Sequence, residues 1–182
     1  MKQACAATDV TIERITGADL DKPTPCADWD VRALLNHVVG TLYLGAALLA
    51  DTVPTVAMGP GELPTIDLLD GDPLKAYRVG VEALLAAVSG ALGRAHTTPL
   101  GDMPGTVLGG FTTLDIAVHG WDLARATGQE PAVGDTLAET VLAFARQTLT
   151  ADTRAPRIAP EIPVDADATA TDRLVGFLGR QP

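Results

Sequence analysis

The stretch DVRALLNHVVGTLYLGAALLA, from Asp30 to Ala50, decides the fold. Asp30 suits the N-cap of a helix, because its carboxylate can accept from the orphan backbone N–H groups of the first turn and complements the helix dipole. Trp29 then falls at N′ and Leu34 at N4, the two positions of a hydrophobic staple. Val31, Leu35, Val38, Leu42 and Leu49 form one face, and Leu34, Leu44 and Leu48 widen it. A helix apolar nearly all round is packed on several sides, so the spacing predicts a central core helix.

The flanking sequence carries further helical punctuation. Gln3 to Thr16 predicts a first helix, ending near Gly17, with sparse apolar positions at Val10, Ile12 and Ile15. A loop rich in Pro and Gly follows the central helix. Asp72 and Pro73 then read as N-cap and first residue of a third helix. Leu74, Tyr77, Val81, Leu84, Leu85 and Val88 carry it to about Leu92, with Gly93 after the last turn. A fourth helix begins near Pro104 and ends before Gly128. Its internal Gly109, Gly110 and Gly120 each cost roughly 1 kcal/mol against Ala, which points to close backbone packing. A fifth runs from Thr136 to Leu149 with Asp135 as cap. Residues 151–169 hold three prolines and no period, so an extended segment is expected there. A last short helix, about Ala170 to Leu178, ends at Gly179. No alternating pattern long enough for a strand is present. The expected architecture is all-α: one domain over residues 1–182, an antiparallel four-helix bundle with a short extra helix and the extended C-terminal segment.

Composition narrows the functional classes. The chain has 182 residues, a formal net charge of −10, 47% hydrophobic and 20% charged residues, which are globular values and exclude global disorder. The acidic balance argues against nucleic acid as a partner, since phosphate contacts need a concentrated basic face. The longest nearly apolar run, Val38 to Ala50, is about 13 residues, short of the roughly 20 a membrane span needs. The stretch from Met1 to Asp9 lacks the apolar core of a signal peptide. Cys5 and Cys26 do not make a disulfide framework. A cytoplasmic protein without a membrane partner is expected.

The chemistry is carried by few residues. Of three histidines, His37 lies in the second turn of the central helix and His119 in the middle of the fourth, in DIAVHGWD, Asp115 to Asp122. Four residues advance a helix by about 400°, so Asp115 and His119 point within about 40° of each other. Asp122 falls about 20° to the other side of Asp115, giving a polar stripe on an apolar helix. A carboxylate and an imidazole one turn apart form a clamp for a divalent cation, and a further ligand from a neighbouring helix would complete the set. His37 is the helical histidine available for it. A His₂Asp set leaves open positions, the catalytic pattern; zinc is the first choice, with nickel, manganese or iron compatible with the donors. Alternatively, Asp115 and His119 form a simple intrahelical ion pair, worth roughly 0.2–0.5 kcal/mol. His96 lies in a polar turn and is expected to be exposed. Cys26 is either a thiol activated near a helix start or a small buried residue, and Trp29 and Trp121 are expected to pack around the metal layer.

TPCADWDVRALLNH, Thr24 to His37, resembles the helix-start motif of the DinB/YfiT-like superfamily, and more narrowly the metal-binding domain of mycothiol-dependent maleylpyruvate isomerase and its actinobacterial relatives. DIAVHGWDLARATG, Asp115 to Gly128, resembles their second motif, Gly101 to Gly105 looks like the approach to it, and Asp172 to Arg180 is similar to the closing segment of one branch. The resemblance implies a four-helix bundle holding one divalent metal on His37, Asp115 and His119. It implies thiol chemistry as well: a low-molecular-weight thiol such as mycothiol as cofactor, an electrophilic small molecule as substrate, and transfer or isomerisation as the reaction. Asp122 would orient a ligand or replace Asp115 as one, and Arg125 would hold a carboxylate substrate or pair with Asp122. Two departures stand out. The isomerase places Glu where this chain has Asp115, and it carries a C-terminal domain for which 182 residues leave no room. A metal-containing binding module without turnover is the alternative. Related bundles often pair, so a homodimer is compatible with the resemblance.

Overall fold

The computed structural model describes residues 1–182 except 28, 60, 99–100, 151–153 and 155–157. The chain is mostly helical with a small two-stranded sheet. The elements are α1 (Lys2–Ile12), a 3₁₀ turn (Gly17–Asp19), α2 (Val31–Leu49), α3 (Pro73–Val88), β1 (Ala95–Thr98), β2 (Gly101–Pro104), α4 (Gly105–Thr127), α5 (Asp135–Thr148) and α6 (Ala170–Phe177).

The caps fall where side-chain chemistry puts them. Asp30 accepts from the backbone N–H of Ala33 at 2.8 Å and Asp72 from that of Lys75 at 3.0 Å, so α2 and α3 both start on a carboxylate. Helix α2 is the centre. It packs on α3 and α4, while α1 packs on α4 and α3. Val31, Leu34, Leu35, Val38, Val39, Leu42 and Leu49 are all completely buried. Its length and hydropathy alone would suit a membrane span, but most of its surface is taken up inside the fold. Tyr77 of α3 closes the layer, its hydroxyl donating to the Cys5 carbonyl at 2.9 Å.

The glycines of α4 mark close approaches, as expected. A Cβ on Gly120 would collide with Thr8 of α1, and one on Gly110 with the ring of Phe144 on α5. Thr8 also donates to the Ile116 carbonyl at 3.0 Å, tying α1 to the same stretch of α4. Helix α4 is thereby held on two sides while facing α2 with a third. That third side carries the polar stripe.

Several expectations need correction. Against the all-α expectation, the chain contains an antiparallel β1–β2 hairpin, with His96 opposite Met103 and Thr97 opposite Asp102. Four-residue strands are too short to show alternation, and β2 ends on a proline. Helix α1 stops at Ile12, well before Thr16, and α3 at Val88, before Leu92. Helix α5 begins with Asp135 already inside it and Gly134 at the N-cap. Of the expected extended segment 151–169, residues 151–153 and 155–157 lie outside the described residues and Arg154 is helical, while 158–169 carry no helix or strand.

His96 is not exposed but 2% accessible. Its Nδ1 faces Asp51 Oδ1 at 2.9 Å and its Nε2 faces the Ala91 carbonyl at 2.9 Å, so both ring nitrogens meet acceptors. Arg94 pairs with the same Asp51, and these two partners, Arg94 first, hold its carboxyl below the ordinary range. The pair fastens the hairpin to the end of α2. Replacing His96 by Leu leaves the Ala91 carbonyl only the long bond from the Arg94 N–H, at 3.4 Å, and takes a partner from Asp51; losing a hydrogen bond of this kind costs about 0.5–1.5 kcal/mol. Urea denaturation of His96→Leu should show a loss of that size with an unchanged slope.

Candidate metal centre

Packing of α2 against α4 brings residues 78 positions apart in sequence into one cluster. His37 Nε2 lies 3.3 Å from Asp115 Oδ1, and His119 Nε2 lies 3.5 Å from the same oxygen. The two imidazoles meet edge to face with centroids 4.9 Å apart, and Trp29 leans on His37 at 4.7 Å. One donor atom from each of His37, Asp115 and His119 lies within 4.8 Å of the others.

The outer nitrogens fix the tautomers. His37 Nδ1 is 2.6 Å from the Glu62 carbonyl, which can only accept, so the ring donates there. His119 Nδ1 is 2.9 Å from Asp122 Oδ2, which accepts likewise. Assigned from these partners, each neutral ring presents its Nε2 lone pair to Asp115. Asp115 Oδ2 is buried and without a hydrogen-bond partner. Two lone pairs and a carboxylate thus converge with a buried oxygen unsatisfied, an arrangement that calls for a positive charge between them. This donor set fits a divalent cation.

The cluster is not sealed. The side chain of His37 is fully buried, while those of Asp115 and His119 keep 25% and 12% of their surface, so the α4 side of the cluster is the one that reaches solvent. Around Asp122, burial alone would raise the carboxyl; the hydrogen bond from His119 and the charge and hydrogen bonds of Arg180 outweigh it and hold it at about 2. Burial likewise pushes Asp115 up and His119 down. The charges of His37 and His119, with their hydrogen bonds, reverse the first and hold Asp115 well below its ordinary range. Asp115, with hydrogen bonds to Asp122 and Cys26, reverses the second and lifts His119 well above the usual imidazole value.

Of the residues that the sequence singles out, His37, Asp115, His119 and Asp122 come together. Arg125 does not pair with Asp122; it is exposed, its guanidinium 5.5 Å over the ring of Trp121. Of the two tryptophans, Trp29 leans on the imidazoles, while Trp121 is buried in α4 under Arg125. The guanidinium that does reach Asp122 is Arg180, with Nε 3.1 Å from Oδ1 and Nη2 2.8 Å from Oδ2. Its only signal in the sequence is a helix stop followed by an arginine. Cys26 is half-buried, its thiol donating to Asp122 Oδ2 at 3.3 Å, and it is a free cysteine.

Fold and cluster together define a mostly helical protein with a donor group suited to a divalent ion. The chain belongs to the mycothiol maleylpyruvate isomerase N-terminal domain family, which matches residues 1–124. It is 33% identical over 174 residues to an uncharacterized protein of Mycobacterium tuberculosis strain CDC 1551 / Oshkosh, covering 93% of this chain and 89% of that protein. An uncharacterized protein of Mycobacterium tuberculosis strain H37Rv matches with the same identity and coverage. No solved structure matches the chain.

The depressed carboxyl of Asp122 sets a pH window. Its contribution to stability is complete above its ordinary value of 3.8 and is lost as pH falls through the folded value of about 2. Removing it strands the buried Arg180 charge, a loss of about 3–5 kcal/mol. Chelator-treated wild type and Asp122→Ala, compared by urea denaturation, should differ by that amount above about pH 4, the difference shrinking between about pH 4 and 2.

Proposed function

We propose that the protein binds one divalent metal through His37, Asp115 and His119 and works with a low-molecular-weight thiol of the mycothiol type, as a thiol-dependent transferase or isomerase acting on a small electrophile. The observation that carries this is the orphaned Asp115 Oδ2 beside two inward-facing Nε2 atoms. Membership of a family described by mycothiol and maleylpyruvate isomerisation supports the thiol and the reaction class. Zinc is the first choice for two imidazoles and a carboxylate with positions left open.

When bound, the ion would supply Lewis acidity and hold a thiol in its deprotonated form at neutral pH. The residues of the chain do the rest. Glu62 and Asp122 fix the two Nδ1–H groups, so neither imidazole needs to reorient to present Nε2. Trp29 covers the imidazole pair with an apolar ring and keeps water from that side. The exposed edge of Asp115 and His119 is the approach for thiol and substrate. Helices α1 to α4 are read as an antiparallel four-helix bundle, which joins the C-terminal segment and α6 in a single domain built around this layer.

Metal analysis tests the first half. Purified protein should carry close to one divalent ion per chain, and His37→Ala and His119→Ala should each lose it while keeping the helical circular dichroism of wild type. Retention of the ion in both variants rejects the ligand set.

Calorimetric titration of mycothiol into metal-loaded and chelated protein tests the second half. Binding is expected only to the loaded form. Equal binding to both, or none to either, rejects the thiol.

A further inference from the structure

Two donor groups share the imidazole of His119. His37 and Asp115 meet it at Nε2; Cys26 and Asp122 meet it at Nδ1, and in each group the donor atoms lie within 4.8 Å of one another. By donor chemistry alone, the second group, with a thiol, an imidazole and a carboxylate, is as good a cation site as the first.

What separates them is Arg180. Its Nη2 lies 2.8 Å from Asp122 Oδ2 and 3.3 Å from Cys26 Sγ, while Nε takes the other carboxylate oxygen. The guanidinium is permanently charged, and its planar fork matches both oxygens of the carboxylate. It stands where a cation held by Cys26 and Asp122 would stand. The backbone directs it there. Gly179 has φ +79°, and a Cβ at that position would press on Ala159, so the chain turns back after α6 through a residue that only glycine suits. The Arg180 N–H bonds the Val175 carbonyl at 2.9 Å, and its Nη1 donates to the Leu178 carbonyl at 3.0 Å.

We infer that Arg180 is a positioning residue that decides which side of His119 receives a cation. It fills the Cys26–Asp122 side with its own charge and leaves the Nε2 side, with His37 and Asp115, for a divalent ion. By gripping both oxygens of Asp122 it also holds the acceptor that His119 Nδ1–H needs, so the Nε2 lone pair stays aimed at Asp115. Residue 180 lies outside the stretch that the family matches, so the C-terminal segment of this chain completes the centre. The inference rests on the metal-binding reading above.

Cobalt(II) alone is the probe, titrated into full-length apo protein and followed by visible and near-ultraviolet absorption. Wild type should bind it without a sulfur-to-cobalt charge-transfer band, and Cys26→Ser should give the wild-type spectrum. Arg180→Met should gain that band, lose it again in Arg180→Met/Cys26→Ser, and bind at the Nε2 side some 10- to 100-fold more weakly, the usual effect of losing an outer hydrogen-bond partner. A charge-transfer band in wild type overturns the inference, as does an Arg180→Met protein with wild-type spectrum and affinity. Should Arg180→Met fail to fold, Arg180→Gln takes its place: a gained charge-transfer band supports the inference, and a wild-type spectrum and affinity overturn it. A wild-type protein that takes up no cobalt fails at an earlier step, the metal-binding reading itself.

Discussion

Two imidazole lone pairs and a carboxylate are aimed at one point between α2 and α4, and, among the described residues, nothing in their immediate circle is placed to donate to the inner carboxylate oxygen. Such a convergence is unfavourable unless a positive charge occupies it. In the chain without a metal, Asp115, Asp122 and Cys26 favour a proton on His119 and hold it above its ordinary value, and the two imidazoles hold Asp115 below. A divalent ion and a proton therefore compete for the same place, as they do wherever ligands must be deprotonated to bind. The packing around α2 and α4 keeps these atoms facing one another.

That service is done by packing first and by hydrogen bonds second. The glycines of α4 let Thr8 and Phe144 press against its backbone, which fixes the rotation of the helix and with it the direction of Asp115 and His119. Helix α2 is fixed by its completely buried leucines and valines, and His37 shares their burial. Upstream, the backbone of Val31 and Arg32 bonds the carbonyls of Lys22 and Leu20, so the loop carrying Cys26 and Trp29 is folded down over the cluster. Around the rings, Glu62 and Asp122 settle the tautomers. A rigid frame of this kind is what a preorganised site requires, since a ligand free to rotate would turn away from its unfavourable neighbours.

What could be read from sequence divides along a physical line. The start of α2, the spacing of Asp115, His119 and Asp122, and the stop at Gly179 are local: each is set by residues within a turn or two, and helix geometry converts spacing directly into direction. The β1–β2 hairpin, the buried His96 and the reach of Arg180 are not local. His96 is buried with Asp51, 45 positions earlier and in a left-handed conformation, facing its Nδ1 from the surface. Arg180 meets a carboxylate 58 positions away. Arg125 is the nearer arginine in sequence, yet one turn beyond Asp122 it lies over Trp121 instead. Helical spacing places a side chain on a face; it does not say which of two arginines a third element will deliver.

Asp115 bears on how far the family likeness extends. The resemblance implies Glu in the isomerase where this chain has Asp115, and the shorter side chain here meets both imidazoles. It does so from within a regular helix, with Oδ1 at 3.3 Å and 3.5 Å from the two Nε2 atoms. On the other flank of His119, Arg180 bonds Asp122 and Cys26 with its own positive charge. With the Nδ1 side of His119 occupied by Asp122, Cys26 and Arg180, the donor atoms left facing one another are those of His37, Asp115 and His119 on the Nε2 side.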